Sequence, residues 1–151
     1  MTFQTIIEKL PYSEPFLFVG ELISVTDDGV EGTYTFDKSS YFYKGHFKNQ
    51  PITPGVILTE CMAQIGVVCL GIHLLQKEKN IESSNFALSS SEIEYYLPVM
   101  PGEKVRVISE KIYFRFSKLK CKVKMYNTDD KLVAKGIISG MTKVKNRTLN
   151  K

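Results

Sequence analysis

Two side chains in one stretch of this sequence could move a proton: His46 and, fourteen positions later, Glu60. The stretch reads Gly45-His46-Phe47-Lys48-Asn49-Gln50-Pro51-Ile52-Thr53-Pro54-Gly55-Val56-Ile57-Leu58-Thr59-Glu60-Cys61-Met62-Ala63-Gln64. His46 is one of two histidines in the chain and lies in a loop-like segment. An imidazole there can accept a proton near neutral pH. Glu60 sits about one turn into an apolar run with no cation beside it in sequence. A carboxylate is costly to bury as a charge. Burial therefore raises its pKa and favours the acid form, which can protonate a leaving hydroxyl. Gly55, after Pro54, would open a helix with a bare backbone N–H, where the helix dipole favours negative charge developing on a carbonyl oxygen. Gln64 is four residues from Glu60, on the same helix face, and could fix the carboxyl rotamer. Each residue also has a structural reading. A loop histidine can simply pack, Glu60 can pair with a lysine from another strand, and Pro54-Gly55 can be a plain helix start. The residues alone supply a base, an acid and an oxyanion donor, and no more.

The elements that would position them follow from hydrophobic patterning. Residues 56–75 are apolar on nearly every side. As a helix, twenty residues span about 30 Å, enough to cross a membrane. Glu60, Gln64 and His73 interrupt the run, and the rest of the chain reads as amphipathic strands. The pattern therefore predicts a helix buried in protein, inside a wrapped sheet or between subunits, without membrane insertion. A short helix is expected over 3–10, capped by Thr2 or Thr5. Pro11 and Pro15 impose an extended stretch. Strands are expected over 16–25 and 30–36, joined by a turn at Asp27-Asp28-Gly29. Residues 41–54 read as an ordered loop and 76–84 as a polar connection. Further strands are expected over 86–97, 105–116 and 132–141. Between the last two, Leu119, Cys121, Val123 and Met125 alternate with Lys118, Lys120, Lys122 and Lys124, giving one apolar and one cationic face. The order predicts an α+β fold, a curled antiparallel sheet wrapped around one long buried helix. One domain is expected over 1–141, followed by a basic, flexible tail over 142–151.

Composition narrows the function classes. A chain of 151 residues, 43% hydrophobic, suits one compact domain with a real core. The net charge of +4 is a mild bias. With no Gly-rich phosphate loop or arginine cluster, it gives no reason to expect nucleic acid. Three cysteines without a C-x-x-C pair read as small buried hydrophobes rather than as disulfides or a zinc site. The first ten residues carry Glu8 and Lys9 and lack the long apolar region of a signal peptide. A reducing cytoplasm is the expected compartment.

The 45–64 stretch resembles the β-hydroxyacyl-acyl-carrier-protein dehydratases, whose pattern reads approximately G-H-F-P-x-x-P-x-x-P-G-V followed by a helical E-x-x-A-Q. The counterparts are Gly45-His46-Phe47, Pro51, Pro54-Gly55-Val56, Glu60 and Ala63-Gln64, with the family's spacing between His46 and Glu60. Leu10-Pro11 with Pro15-Phe16-Leu17 and Val19, and Tyr96-Leu97-Pro98-Val99 with Pro101-Gly102-Glu103, resemble two flanking motifs of the family. The resemblance implies the hot-dog fold and dehydration of a (3R)-3-hydroxyacyl chain, held on the phosphopantetheine arm of acyl carrier protein, to the trans-2-enoyl product. It implies His46 as base, Glu60 as acid, Gly55 N–H at the thioester carbonyl and Gln64 in support. Phe47, Pro54 and Val56 would contact substrate, and no metal or redox cofactor is needed. It also implies a homodimer whose sites pair His46 of one subunit with Glu60 of the other; trimers of such dimers are common in the family. Two departures flank the site: Lys48-Asn49-Gln50 where the family usually has Pro-Gly-Asn or Pro-Gly-Asp, and Tyr12-Ser13-Glu14 where it has His-Arg-Tyr. They bear on substrate preference and leave open a housekeeping or a specialised enzyme. A hot-dog thioesterase would also use a helix carboxylate but has little use for His46. A non-catalytic acyl-binding module could dispense with both residues.

Overall fold

The computed structural model describes residues 2–76 and 85–142. Helix α1 spans Phe3–Glu8, and the Thr2 hydroxyl caps it by accepting from Thr5 N–H. Strands β1 (Glu21–Thr26) and β2 (Gly29–Thr35) form a hairpin. A 3-10 turn at Tyr41–Lys44 precedes the long helix α2, Gly55–Leu75. Four strands follow: β3 (Ala87–Tyr95), β4 (Lys104–Arg115), β5 (Lys118–Tyr126) and β6 (Leu132–Met141). They join one six-stranded sheet in the order β1-β2-β4-β5-β6-β3, antiparallel at every pairing. The sheet is not closed, and β1 and β3 are its edges.

The alternation in β5 decides which side of the sheet meets the helix. Leu119, Cys121, Val123 and Met125 are fully buried, and the intervening lysines are not. Each such apolar side chain contributes about 1.5–3 kcal/mol relative to exposure. Helix α2 lies against this face, in contact with β2, β4, β5 and β6. The approach is close at Gly66, where an added Cβ would sit 3.0 Å from Val123 and 3.1 Å from Ser109. The arrangement is the hot-dog fold expected from the sequence. Helix α2 has the length and apolarity of a membrane span, but 78% of its most apolar window is buried within the protein. It is the core helix. Cys61, Cys69 and Cys121 are free and buried in the same core.

The structure corrects the sequence reading at several points. Residues 16–20 are not a strand; β1 begins at Glu21. The main chain there is satisfied by a side chain instead, since Gln64 bonds both Phe16 O and Phe18 N. The interior of α2 is not uniform, because Gln64–Cys69 is wound as a π-helix between two α-helical segments. Such widened turns release carbonyls from the regular ladder, and Ser109 Oγ donates to Gly66 O at 2.8 Å. Thr142 does not belong to a loose tail, because it is buried and its N–H donates to Ser117 O. The rest of that tail, 143–151, and most of the polar connection, 77–84, lie outside the described residues.

Candidate active site

Glu60 is on the second turn of α2, half-buried among apolar neighbours. Burial pushes its carboxyl pKa above the ordinary value, and a hydrogen bond from Gln64 opposes that only in part. Gln64 is fully buried and spends its whole amide on three partners. Its Nε2 donates to Glu60 Oε2 at 3.0 Å and to Phe16 O at 3.1 Å, and its Oε1 accepts from Phe18 N–H at 2.8 Å. The extended chain that enters β1 therefore locks Gln64, and Gln64 locks Glu60. A carboxyl group held this way and biased toward its protonated form is suited to give up a proton.

His46 is positioned by main chain. Its N–H donates to Phe42 O at 3.1 Å, and its carbonyl accepts from Ile52 N–H at 2.8 Å. The ring returns to the same residue, with Nδ1 2.9 Å from Ile52 O. A carbonyl oxygen can only accept, so Nδ1 carries the hydrogen and the lone pair lies on Nε2. The loop is fastened beyond that point. Thr53 N–H donates to Val99 O, and the Thr53 hydroxyl meets the Tyr43 hydroxyl at 2.5 Å. Phe47 stacks on the imidazole at 4.1 Å between ring centroids and is itself exposed.

Pro54 and Gly55 form the hinge between loop and helix. Pro54 is the N-cap, and its carbonyl accepts from Ile57 and Leu58 N–H. Gly55 is the first helical residue, where N–H groups have no intrahelical acceptor. An added Cβ at Gly55 would lie 3.3 Å from the Tyr95 ring, so β3 packs tightly over the helix start. The Tyr95 hydroxyl also hydrogen-bonds Thr59. Val56 points outward and is 76% exposed.

A cavity of about 220 Å³ opens beside Glu60, walled by Ala63, Val67 and Val68 of α2, Tyr12, Phe86 to Leu88, and Ile138 to Gly140. Of the residues singled out in the sequence as a site, Glu60 alone lines it; Gln64 stands behind Glu60. His46, Phe47, Pro54, Gly55 and Val56 are not among its walls in a single chain. The structure adds Tyr12 and Phe86, which sequence reasoning did not assign. Tyr12 had one signal, its position in a motif that departs from the family pattern. Its phenol pKa is pushed up to about 12 by burial and by the Glu60 charge, so it stays a neutral hydroxyl. Among the described residues no set of three or more His, Cys, Asp or Glu side chains gathers as a metal site. The second histidine, His73, is far along α2 and pairs with Asp27 at 2.9 Å.

Comparison with known proteins bears on family and fold. Residues 10–137 match the family model described as FabA-like domain. The 3-hydroxyacyl-[acyl-carrier-protein] dehydratase FabZ of Lactococcus lactis subsp. cremoris is 30% identical over 134 residues, covering 89% of this chain and 90% of that protein. Among solved structures, the dehydratase heterocomplex ApeI:P from Xenorhabdus doucetiae superposes with a TM-score of 0.77 at 14% identity, over 92% of this chain and 91% of the other. A thioesterase from Haemophilus influenzae superposes with a TM-score of 0.69 at 15% identity, over 97% and 94%. At such identities these two structures speak for the fold alone.

Proposed function

The chain belongs to the FabA-like domain family, and from that premise we propose that it dehydrates (3R)-3-hydroxyacyl chains carried on acyl carrier protein, giving trans-2-enoyl thioesters for fatty-acid or related acyl-chain synthesis. What carries the proposal is a half-buried Glu60, its pKa raised by burial and its carboxyl fixed by Gln64 beside an apolar cavity, together with a histidine elsewhere in the chain whose Nδ1 faces the Ile52 carbonyl and so leaves Nε2 to act as base. His46 Nε2 takes the C2 proton, which the thioester acidifies. The electron pair forms the C2–C3 double bond, the C3–O bond breaks, and Glu60 supplies the proton that turns the leaving hydroxyl into water. The cycle closes when His46 loses and Glu60 regains a proton. Gly55 N–H, at the helix start, steadies the enolate-like carbonyl oxygen. General acid–base assistance of this kind is worth about 10²–10⁴-fold, and one oxyanion donor about 10²–10³-fold. The reaction calls for no metal or redox cofactor, since both proton transfers fall to side chains.

In this reading the working unit is a homodimer in which His46 of one subunit faces Glu60 of the other. Two features support it. His46 does not line the cavity of its own chain's Glu60. The edge strand β3 is also exposed along nearly its whole length, with Leu88 and Tyr95 at 53% and 47% exposure, and Tyr95 packs on Gly55, next in sequence to the bare Val56. Free, buried cysteines suit a reducing cytoplasm. The test is incubation with carrier-bound 3-hydroxyacyl chains, followed by mass spectrometry. Loss of water supports dehydration. Release of the free acid and carrier thiol without enoyl product would favour a thioesterase.

A further inference from the structure

Resting on that reading of the cavity, we propose that Phe86, seated on Gly71, closes the far end of the acyl site and sets the chain length the enzyme accepts. Glu60, Ala63, Val67 and Val68 follow one another along the cavity side of α2, and Gly71 comes next at the same spacing. At ~1.5 Å per residue, Gly71 lies roughly 16 Å along the helix from Glu60. At that one position the helix offers no side chain. A Cβ on Gly71 would stand 2.3 Å and 2.5 Å from the Cε1 and Cζ atoms of Phe86. The ring occupies the space a side chain would need, and Phe86 is only 8% exposed. Gly140 of β6 gives way on the opposite side, since its added Cβ would meet Phe86 Cβ at 3.5 Å and Val67 at 3.3 Å. The phenyl group is thus wedged between helix and sheet, with Leu88 and Ile138 completing the wall.

The ring sets the limit. A chain that runs from Glu60 along this side of α2 meets Phe86 roughly 16 Å on. Chains that end short of the ring are held, and longer ones run into it. The substrate class is short- to medium-chain 3-hydroxyacyl thioesters.

The experiment measures kcat/KM for the full-length wild type on carrier-bound 3-hydroxyacyl chains of four to sixteen carbons, then repeats it for Phe86→Ala and Phe86→Leu. Expected for the wild type is a fall of roughly tenfold or more between ten and sixteen carbons. Both variants should raise the ratio of long-chain to short-chain activity at least several-fold. The Leu variant keeps the core filled should the Ala variant fail to fold, and the wild-type profile is informative by itself. Equal wild-type rates on ten and sixteen carbons would overturn the proposal, as would a folded Phe86 variant with an unmoved length ratio. Absence of dehydration at every length would instead sink the underlying assignment of function.

Discussion

His46 hangs on a loop and takes its orientation from one backbone carbonyl, Ile52 O, while its stacking partner Phe47 is exposed. Glu60 rides on a helix inside the sheet and takes its orientation from Gln64, a side chain that is fully buried and triply bonded. The base needs an accessible lone pair and a fixed tautomer, which a backbone carbonyl supplies without burying the ring. The acid needs to stay protonated, which requires an apolar setting and therefore the core helix. One chain builds the two environments in separate places, and the proposed two-copy site is what would bring them together.

The contrast can be broken at several points. The largest effect is expected on activity: Glu60→Gln and His46→Ala should each lower the dehydration rate by about 10²–10⁴-fold while circular dichroism and melting stay near wild type. Full activity in either variant would remove that residue from its role.

Gln64→Ala should act on fold and site together. It leaves Phe16 O and Phe18 N–H without their buried partner, at a cost of about 3 kcal/mol in a denaturant titration. Dehydration should fall as the Glu60 rotamer is released. A stability change within experimental error would show that the bridge from the β1 approach to the helix is dispensable. No comparable loss is expected from Phe47→Leu on the loop side, because Phe47 is exposed.

The smallest effect is in pH dependence. The folded-state pKa of Glu60 is raised above its ordinary value of 4.5. The folded protein therefore holds this proton more tightly than the unfolded chain. That contribution to stability is fully present below the unfolded pKa and is lost as pH rises through the folded one. Across that window Tm should fall more steeply with pH in the wild type than in Glu60→Gln. Parallel curves would mean that burial does not perturb the carboxyl group. In the same direction, kcat/KM should decline as pH climbs past the raised pKa, because the acid form is consumed.

Much of this was legible beforehand where one physical signal dominated. Period-two alternation marked β5, and a strand was expected over 132–141, so the two elements fall where patterning put them. Helix α2 was plain from its length and apolarity, and Glu60 and Gln64 stood out against it. Its π-helical interior was not, because a run that is apolar on all sides has no phase in which an extra residue per turn could be noticed. Residues 16–20 carry strand-like composition, yet their partner is the Gln64 amide, a tertiary contact that no local pattern announces. Phe86 and Tyr12 reach the cavity from distant parts of the chain, and only the folded sheet brings them to Glu60.

The central claim, that one site draws its base and its acid from different copies, has a direct test. His46→Ala and Glu60→Ala chains, each inactive alone, would be unfolded together and refolded as a mixture. Random pairing makes half the dimers mixed, each with one intact site, so activity should return to about a quarter of wild type. A mixture that refolds to dimers and stays inactive would contradict the shared site.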